Sequence, residues 1–233
     1  MTDLRLAPIE ACVFDAYGTL FDVHSAAARW RDRLGDKANA LSSVWRRKQV
    51  EYSWLRSLMG CHADFLRVTA DSLDYALAEV GIADDALREQ LMETYRALAP
   101  YPDARPTLAA LRSRGFKTAI LSNGSPEMLA SAVERAALGP LLDQVLSVEE
   151  IGIYKPHPSV YRLAVERLGT PAERICFVSS NGWDAAGAAH FGFRVAWVNR
   201  FGQAAERLPG IPEATLSGLA ELPGLLDGPG GPA

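Results

Sequence analysis

The chain has 233 residues, with 24 basic and 28 acidic side chains, a formal net charge of -4 and 48% hydrophobic residues. This length suits one large domain or a core domain with an insertion, and the slightly acidic balance without a basic tract argues against nucleic acid as a partner. The first residues lack the basic start and apolar run of a signal peptide, and no apolar segment is long enough to span a bilayer, so we expect a cytoplasmic protein without a membrane partner.

Cysteine usage argues against two further kinds of site. Cys12, Cys61 and Cys176 are far apart, with no Cys-x-x-Cys pair and no His at metal-ligand spacing. The pattern therefore favours neither a disulfide framework nor a structural zinc, and the three residues are expected to act as small apolar side chains.

The first predicted strand ends at an acid. Cys12 to Phe14 is an apolar run that stops at Asp15, which is followed by a small residue, an aromatic residue, Gly18 and Thr19. This pattern predicts a buried strand that ends in a carboxylate, and ligands of open α/β sheets bind outside the carboxyl ends of the strands. The alternative is an Asp that initiates a turn by binding its own backbone.

After Asp22, apolar periodicity predicts helices for about eighty residues. The expected helices run roughly from His24 to Leu34, Ala38 to Met59, Ala63 to Val80 and Asp84 to Ala97. On the second helix we predict a core-facing stripe of Leu41, Val44 or Trp45, Lys48, Tyr52, Leu55 and Met59, and an opposite edge of Arg46, Val50 and Trp54. Pro100 and Pro102 end the helical region, because proline cannot continue a helix.

From Asp103 onward, helices alternate with strands. Strands are predicted at Lys117 to Leu121, Val145 to Ser147, Ile175 to Val178 and Val195 to Val198, and a short helix near Leu219 to Leu226. Such alternation predicts an α/β fold, a doubly wound, Rossmann-like parallel sheet covered by helices on both faces. We therefore predict a core domain of residues 1–20 and 100–226, an inserted α-helical cap of residues 21–99 above the edge where Asp15 points, and a disordered tail of residues 227–233.

Polar clusters follow three later strands. They are Ser122 to Ser125, Tyr154 to Pro156, and Ser179 to Asp184. Each is a weak signal alone, since such residues are common in turns, at helix N-termini and on solvated surfaces. A parallel sheet places all of them on one edge, within reach of Asp15.

These segments resemble, in order, the four motifs of the haloacid dehalogenase superfamily. The matching stretches are Phe14 to Asp22, Leu121 to Gly124, Tyr154 to Pro156 and Ser179 to Asp184. More narrowly they look like the L-2-haloacid dehalogenases, whose cap is similar to Val44 to Arg56, and the likeness runs from about Ala11 to Arg200. The resemblance implies a 2-haloacid substrate, a halide product, no metal or other cofactor, and a homodimer.

Most members of the superfamily are phosphatases, and two positions separate this chain from them. The phosphatases carry a second Asp two residues after the nucleophile, which acts as the general acid, and here that position is Tyr17. In the last motif, where they use acids to hold magnesium, this chain has Ser179, Ser180 and Asn181, with Asp184 remaining. Both differences fit displacement of halide from carbon. A magnesium-dependent phosphatase remains the first alternative, and a phosphoacceptor signalling module, which would lack the inserted cap, the second.

The resemblance implies a role for each matching residue. Asp15 would attack carbon 2 and form an ester, Lys155 would keep it ionised, and Asp184 would position or deprotonate the hydrolytic water. Substrate carboxylate would be held by Ser122, neighbouring Asn123 and backbone N-H groups, with Thr19 as an accessory hydroxyl. Ser179 completes the catalytic set, and the predicted substrate walls are Tyr17, Val50, Phe65, Tyr161 and Trp183, although ordinary core packing is an equal alternative for Phe65 and Tyr161.

Halide capture is assigned to Arg46 and Asn181. Three bases are adjacent, but Arg47 has Glu51 four residues on and Lys48 has Glu51 three residues on, whereas Arg46 has no acid at those offsets. An unpaired guanidinium beside Val50 and Trp54 suits an anion site, while the alternative is a solvated charge run. His62 stands where the dehalogenases often have Tyr, so the shape of that wall is open.

Overall fold

The protein is described by a computed structural model that covers residues 8–227. Its strands are β1 (Ala11–Phe14), β2 (Lys117–Ser122), β3 (Gln144–Ser147), β4 (Ile175–Ser179), β5 (Arg194–Val198) and β6 (Ala214–Leu216). They form one 6-stranded sheet in the order β3-β2-β1-β4-β5-β6, and every neighbouring pair is parallel. The predicted doubly wound sheet is confirmed. Apart from Asp227, the predicted disordered tail lies outside the described residues.

The order of the strands also bears on the signalling alternative. Signalling modules of the flavodoxin-like class have the order 2-1-3-4-5, whereas this sheet has the Rossmann order 3-2-1-4-5-6. The fold therefore gives the phosphoacceptor module no support.

Strand β1 lies at the centre of the sheet, between β2 and β4. All four of its residues are apolar and fully buried, which suits a central strand. Phe14 pairs with Ile120 of β2 and Val178 of β4, and the Asp15 N-H donates to the Val178 carbonyl at 2.9 Å. The ends of β1, β2 and β4 therefore meet at one edge of the sheet, with Asp15 between the other two.

Helices cover the sheet and fill the interval between β1 and β2. Those in the interval are α1 (Ser25–Ala28), α2 (Arg31–Leu34), α3 (Lys37–Met59), α4 (Phe65–Glu79) and α5 (Asp85–Arg96). The others are α6 (Ala104–Ser113), α7 (Pro126–Arg135), α8 (Pro158–Leu168), α9 (Gly182–Phe191) and α10 (Leu222–Leu225), with single 3-10 turns at Gly139–Leu141, Val148–Glu150, Ala172–Arg174 and Leu219–Glu221. Within residues 8–227, none of the helices is both long enough and apolar enough to cross a membrane.

Two details of the predicted elements were wrong. The first predicted helix is two short helices, α1 and α2, separated at Arg29 and Trp30. The sequence analysis also omitted β6, which adds Ala214–Leu216 to the edge of the sheet beside β5.

The predicted core face of α3 was wrong in its second half. The buried residues of this helix are Ala38, Leu41, Trp45, Gln49 and Ser53. Leu55 and Met59, which we assigned to the core, are 44% and 70% exposed. Gln49 and Ser53 can be buried because their polar groups are hydrogen-bonded, to the Thr69 hydroxyl and the Val50 carbonyl respectively. Hydrophobic spacing alone misplaces a helix face that is buried but polar.

The two connections between the sheet and the inserted helices run side by side. Phe21 forms an antiparallel bridge with Pro100, the Asp22 N-H donates to the Ala99 carbonyl at 3.0 Å, and the Tyr101 N-H donates to the Leu20 carbonyl at 2.8 Å. The helical insertion therefore leaves and rejoins the sheet at one place, directly beyond Asp15.

Candidate active site

A buried lysine links two buried acids at the edge of the sheet. Lys155 Nζ lies 3.0 Å from Asp15 Oδ1 and 2.8 Å from Asp184 Oδ2. Lys155 is 1% exposed, Asp184 0% and Asp15 6%. Buried charges are stable only when they are paired and hydrogen-bonded, so the three groups depend on one another.

The same burial shifts the proton affinities of the group. Burial, reinforced by the charge of Asp15, raises the pKa of Asp184 to about 6, although Lys155 and the Tyr161 hydroxyl oppose the shift. Burial by itself lowers the pKa of Lys155, but the two carboxylates outweigh it and leave that pKa above its ordinary value. The lysine therefore stays charged, whereas the raised pKa of Asp184 lets this acid gain or lose its charge near pH 6.

Protein donors occupy the remaining oxygens of both acids. Asp15 Oδ2 accepts from Asn181 Nδ2 at 2.7 Å and from Thr19 Oγ1 at 3.3 Å, and Asp184 Oδ1 accepts from Tyr161 Oη at 2.9 Å. Within residues 8–227, no three His, Cys, Asp or Glu side chains converge as metal ligands. The arrangement holds two carboxylates with an ammonium ion and neutral donors.

The loops after β1 and β4 are locked to each other. Gly18 adopts φ +92°, a conformation that favours glycine, and this turn brings the Thr19 hydroxyl back to Asp15. The same hydroxyl accepts from the Ser180 N-H at 2.8 Å, and Ser179 Oγ accepts from the Asn181 N-H at 3.1 Å. Thr19 and Ser179 are completely buried and thus position the acid and Asn181.

Asn181 stands between Asp15 and the cation that the helical insertion supplies. Its Nδ2 donates to Asp15, and its Oδ1 accepts from Arg46 Nη2 at 2.9 Å. The other terminal nitrogen of Arg46, Nη1, donates to Gln49 Oε1 at 2.7 Å. These two partners of Arg46 are neutral amides, and the Tyr95 hydroxyl, which also contacts Arg46, is neutral too, so the positive charge of Arg46 is held in place without being neutralised.

The neighbouring bases have acidic partners, although one partner differs from the prediction. Lys48 pairs with Glu51 at 3.0 Å, as predicted. Arg47 instead pairs with Glu79 of α4 at 3.2 Å, because that acid lies across the groove between the packed helices α3 and α4.

A space of about 10 Å³ adjoins Asp15, and we name it the closed space because it is less open to solvent than the neighbouring cavity. Its lining combines both halves of the site: Asp15, Tyr17, Arg46, Val50, Ser53, Phe65, Ser122, Asn123, Asn181 and Trp183. A volume of this size admits little more than one water, so a larger ligand has to displace side chains as it enters.

A larger and more open cavity of about 420 Å³ lies outside this space. Arg46, Val50, Asn181 and Trp183 line both cavities. These four side chains lie between the two cavities, and we call them the partition. The hydrogen bond between Arg46 and Asn181 lies within it.

Tyr17, in the loop after β1, packs against aromatic side chains of the helical insertion. Its ring stacks on Tyr95, with centroids 5.7 Å apart, and contacts Phe65 at the same separation. Burial raises the pKa of the Tyr17 phenol far above its ordinary value, so the group stays neutral. A Cβ atom on Gly124 would lie 2.6 Å from this ring, which explains why the loop after β2 carries glycine there.

The structure separates the predicted site residues into two sets. Ten residues line the closed space beside Asp15, and they include the predicted residues Tyr17, Arg46, Val50, Phe65, Ser122, Asn123, Asn181 and Trp183. Five others do not line it: Thr19, Lys155, Tyr161, Ser179 and Asp184. Tyr161 was predicted to line the substrate space, but in the structure its hydroxyl donates to Asp184.

Sequence reasoning missed Gln49 and Ser53, which share a face of α3 with Arg46. Their spacing of three and seven residues from Arg46 was visible, but polar residues on a helix are ordinarily assigned to solvent. His62 lies away from the cavity, where its Nε2 pairs with Glu149 at 2.7 Å, and Glu149 also accepts from the Phe65 N-H at 3.1 Å. The presence of His62, where the dehalogenases often have Tyr, therefore affects the contact between the helical insertion and the turn after β3.

Known proteins are similar to this chain in sequence and in fold. The family model for haloacid dehalogenase-like hydrolases matches residues 9–192. The (S)-2-haloacid dehalogenase 1 of Pseudomonas sp. (strain CBS-3) is 49% identical over 220 residues, which cover 94% of this chain and 97% of that protein. The solved structure of a dehalogenase with intermediate complex superposes with a TM-score of 0.92 at 45% identity, over 94% of this chain and 97% of that one.

A second solved structure is that of L-2-haloacid dehalogenase from Xanthobacter autotrophicus with chloropropionic acid covalently bound. It has a TM-score of 0.86 and 40% identity, and the match covers 93% of this chain and 98% of that one. The resemblance inferred from the four motifs is confirmed: the chain belongs to the haloacid dehalogenase-like hydrolases and, within them, to the (S)-2-haloacid dehalogenases.

Proposed function

We propose that this enzyme hydrolyses short L-2-haloalkanoic acids to D-2-hydroxy acids. The observation that carries the proposal is the arrangement around Asp15: a buried carboxylate, bound to Lys155, that faces a closed space lined by aromatic side chains and Arg46. A carboxylate in such a place is a nucleophile, and a cation opposite it suits a departing anion.

In the first step, a carboxylate oxygen of Asp15 attacks carbon 2 in line with the carbon-halogen bond. The new carbon-oxygen bond forms as halide departs with the bonding electrons, so configuration inverts once and no proton is required. Ser122 and Asn123 line the space and are proposed to bind the substrate carboxylate. Tyr17, Val50, Phe65 and Trp183 exclude water, which would otherwise compete.

In the second step, water attacks the side-chain carbonyl of Asp15. Asp184 accepts one proton of this water and returns it to the alkoxide as the ester carbon-oxygen bond breaks. The hydroxy acid leaves with the former carboxylate oxygen, and Asp15 loses its remaining proton to solvent. Lys155 contacts both acids and stabilises whichever is charged, while Tyr161, Thr19 and Ser179 position the acids and the loop.

Arg46 is proposed to take the halide, with Asn181 beside it. Its charge is not neutralised by the amides that hold it, and it lies on the partition between the closed space and the outer cavity. Movement of this side chain would open the passage through which substrate enters and halide leaves.

One assay separates this activity from phosphate-ester hydrolysis. Chloride release from L-2-chloropropionate is measured in excess chelator, beside a phosphatase assay supplemented with magnesium. We expect chloride release to persist with chelator. Loss of chloride release in chelator, with phosphate release restored by magnesium, would reject the proposal in favour of the phosphatase alternative.

Isotope transfer tests the covalent step. In a single turnover with enzyme in excess in oxygen-18 water, label is expected in Asp15 and not in the first product, since water attacks the ester carbonyl. Label in that product would mean that water attacks carbon 2 directly.

We also propose the domain division given by the sequence, with a core of residues 1–20 and 100–226 and a cap of residues 21–99. The pairing of Phe21 with Pro100 supports this division, because the two connections between core and cap lie side by side at that point. Cleavage confined to loops of the cap during limited proteolysis, with the sheet retained, is the expected result.

A homodimer and a cytoplasmic location complete the proposal. Leu55, Leu58 and Met59 at the end of α3 are 44%, 84% and 70% exposed, an apolar surface that a second copy could cover. Cys12 and Cys176 are adjacent buried thiols, a state that suits a reducing compartment. Light scattering of Leu58→Lys should show dissociation, whereas Ile211→Lys, at a residue that is 82% exposed on a core loop, should leave the mass unchanged.

A further inference from the structure

Gln49 is a buried amide whose orientation is fixed by its neighbours. It is 1% exposed, and its Oε1 accepts from both Arg46 Nη1 at 2.7 Å and Tyr95 Oη at 3.1 Å. Its Nε2 donates to Thr69 Oγ1 at 2.8 Å, and that hydroxyl in turn donates to the Phe65 carbonyl at 2.6 Å. A guanidinium only donates hydrogen bonds, so the amide oxygen of Gln49 has to face Arg46. In a flipped amide, the N-H groups of Gln49 would face the N-H groups of Arg46 and no hydrogen bond could form between them.

The two neighbours of the amide oxygen remain donors at working pH. Arginine keeps its proton in proteins, and burial raises the pKa of the Tyr95 hydroxyl. Tyr95 also stacks on Tyr17, so the network joins Arg46 to the aromatic wall of the closed space.

The chemical type of the partner determines what Arg46 can do. A carboxylate at position 49 would hold the guanidinium equally well, but it would also neutralise the charge that a departing anion needs. An apolar residue would leave the charge free but would not fix the side chain. A neutral acceptor is the choice that satisfies both requirements.

We propose that Gln49 is a positioning residue for halide release, which orients Arg46 towards the closed space while leaving its positive charge uncompensated. This inference rests on the proposed role of Arg46. Its distinguishing prediction is an effect on halide affinity, because a merely structural role of Gln49 would not alter chloride inhibition specifically.

The principal test is Gln49→Glu, which preserves shape and acceptor but adds a negative charge. We expect the chloride inhibition constant to rise by about tenfold and kcat for L-2-chloropropionate to fall by a similar factor, with KM changed less. Gln90→Glu is the matched control, since Gln90 Oε1 accepts from Arg33 Nη1 at 2.8 Å in the same type of pair outside the site. This control should keep all three constants.

A second variant addresses Gln49 without changing its charge. In Thr69→Val, the acceptor for Nε2 is lost and the amide is held less firmly towards Arg46, so we expect the same direction of change at a smaller size. This variant decides the matter if Gln49→Glu does not fold. Retention of chloride inhibition and kcat within about twofold in the folded variants would overturn the inference.

Failure of the inference and failure of the proposed function give different results. If the unmodified enzyme releases no chloride from any 2-haloacid, the proposed function is wrong. If it releases chloride and the Gln49 variants keep its chloride affinity, only the role of Gln49 is rejected.

Discussion

The two halves of the site differ in whether their charged side chains are paired with opposite charges. In the core half, at the ends of the strands, the charges of Asp15, Lys155 and Asp184 compensate one another at contact distance. In the cap half, on α3, Arg46 is held by neutral amides and its charge is uncompensated. Compensation allows buried ions to persist in the core half, whereas the absence of compensation leaves the cap half available to an anion.

Asn181 maintains the difference between the two halves. It separates the guanidinium of Arg46 from the Asp15 carboxylate and accepts from one while it donates to the other. A direct ion pair between Arg46 and Asp15 would lower the reactivity of the nucleophile and occupy the anion site at once.

The largest effect is expected from removal of the nucleophile. Asp15→Ala should reduce chloride release by about 10⁴-fold or more, because the covalent route is lost. The measurement is halide release under saturating substrate. Asp22→Asn, at an acid whose Oδ1 accepts from the His24 N-H outside the cavity, is the control and should retain activity. Residual turnover within tenfold of the unmodified enzyme would remove Asp15 from the mechanism.

Removal of the shared cation breaks the compensation of the core half. Lys155→Met leaves two buried acids without the cation that links them, so we expect about 10³-fold lower turnover and a free energy of unfolding lower by about 3 to 5 kcal/mol. Denaturant unfolding at pH 7 measures the second effect. Adding Asp184→Asn should restore part of the stability but not the turnover. A single variant as stable as the original would show that the three charges are independent.

Removal of the uncompensated cation tests the cap half. Arg46→Ala should cut turnover by about 10²-fold and leave the thermal midpoint nearly unchanged, because within residues 8–227 Arg46 bonds to neutral groups and forms no ion pair. Arg47→Ala, which removes only the surface pair with Glu79, is the control. Equal kinetics for the two variants would return Arg46 to an ordinary surface role.

The pH dependence separates the two chemical steps. Hydrolysis of the ester needs a charged Asp184, whose pKa burial and the charge of Asp15 raise to about 6 in the free enzyme. Because Asp15 is uncharged in the ester, the pKa of Asp184 is lower there, so the rate of this step should begin to fall below pH 6 and then drop by about tenfold for each further unit. Rapid quenching and mass analysis of the Asp15 peptide should show ester accumulating at pH 4. A hydrolysis rate that is constant from pH 7 to pH 4 would exclude Asp184 as the base.

The smallest effect is expected at the wall. Phe65→Leu keeps most of the apolar volume beside Tyr17, so we expect a loss of about 1 kcal/mol in unfolding free energy and a modest rise in KM. Calorimetry and steady-state kinetics measure both. A kcat loss comparable to that of Arg46→Ala would mean that the wall takes part in more than water exclusion.

The sequence by itself determined the strand ends and the residues placed there. Apolar strands that stop at polar turns are local patterns, and parallel strands bring those ends together, so Asp15, Lys155, Asp184 and Asn181 could be predicted to meet at one edge. The motifs that carry these residues also identified the family. The three-residue strand Ala214–Leu216 escaped prediction because it is too short to show a period.

Only the tertiary structure decided which polar side chains face the substrate space. Thr19 and Tyr161 could reach either substrate or acid from their positions in the chain, and in the fold their hydroxyls are bound to Asp15 and Asp184. Gln49 and Ser53 were missed because hydrophobic periodicity cannot detect a buried face whose polar groups find partners on other elements. The pairing of Arg46 with one neutral amide of its own helix and another in the loop after β4 depends on how α3 lies against that loop, which no local pattern specifies.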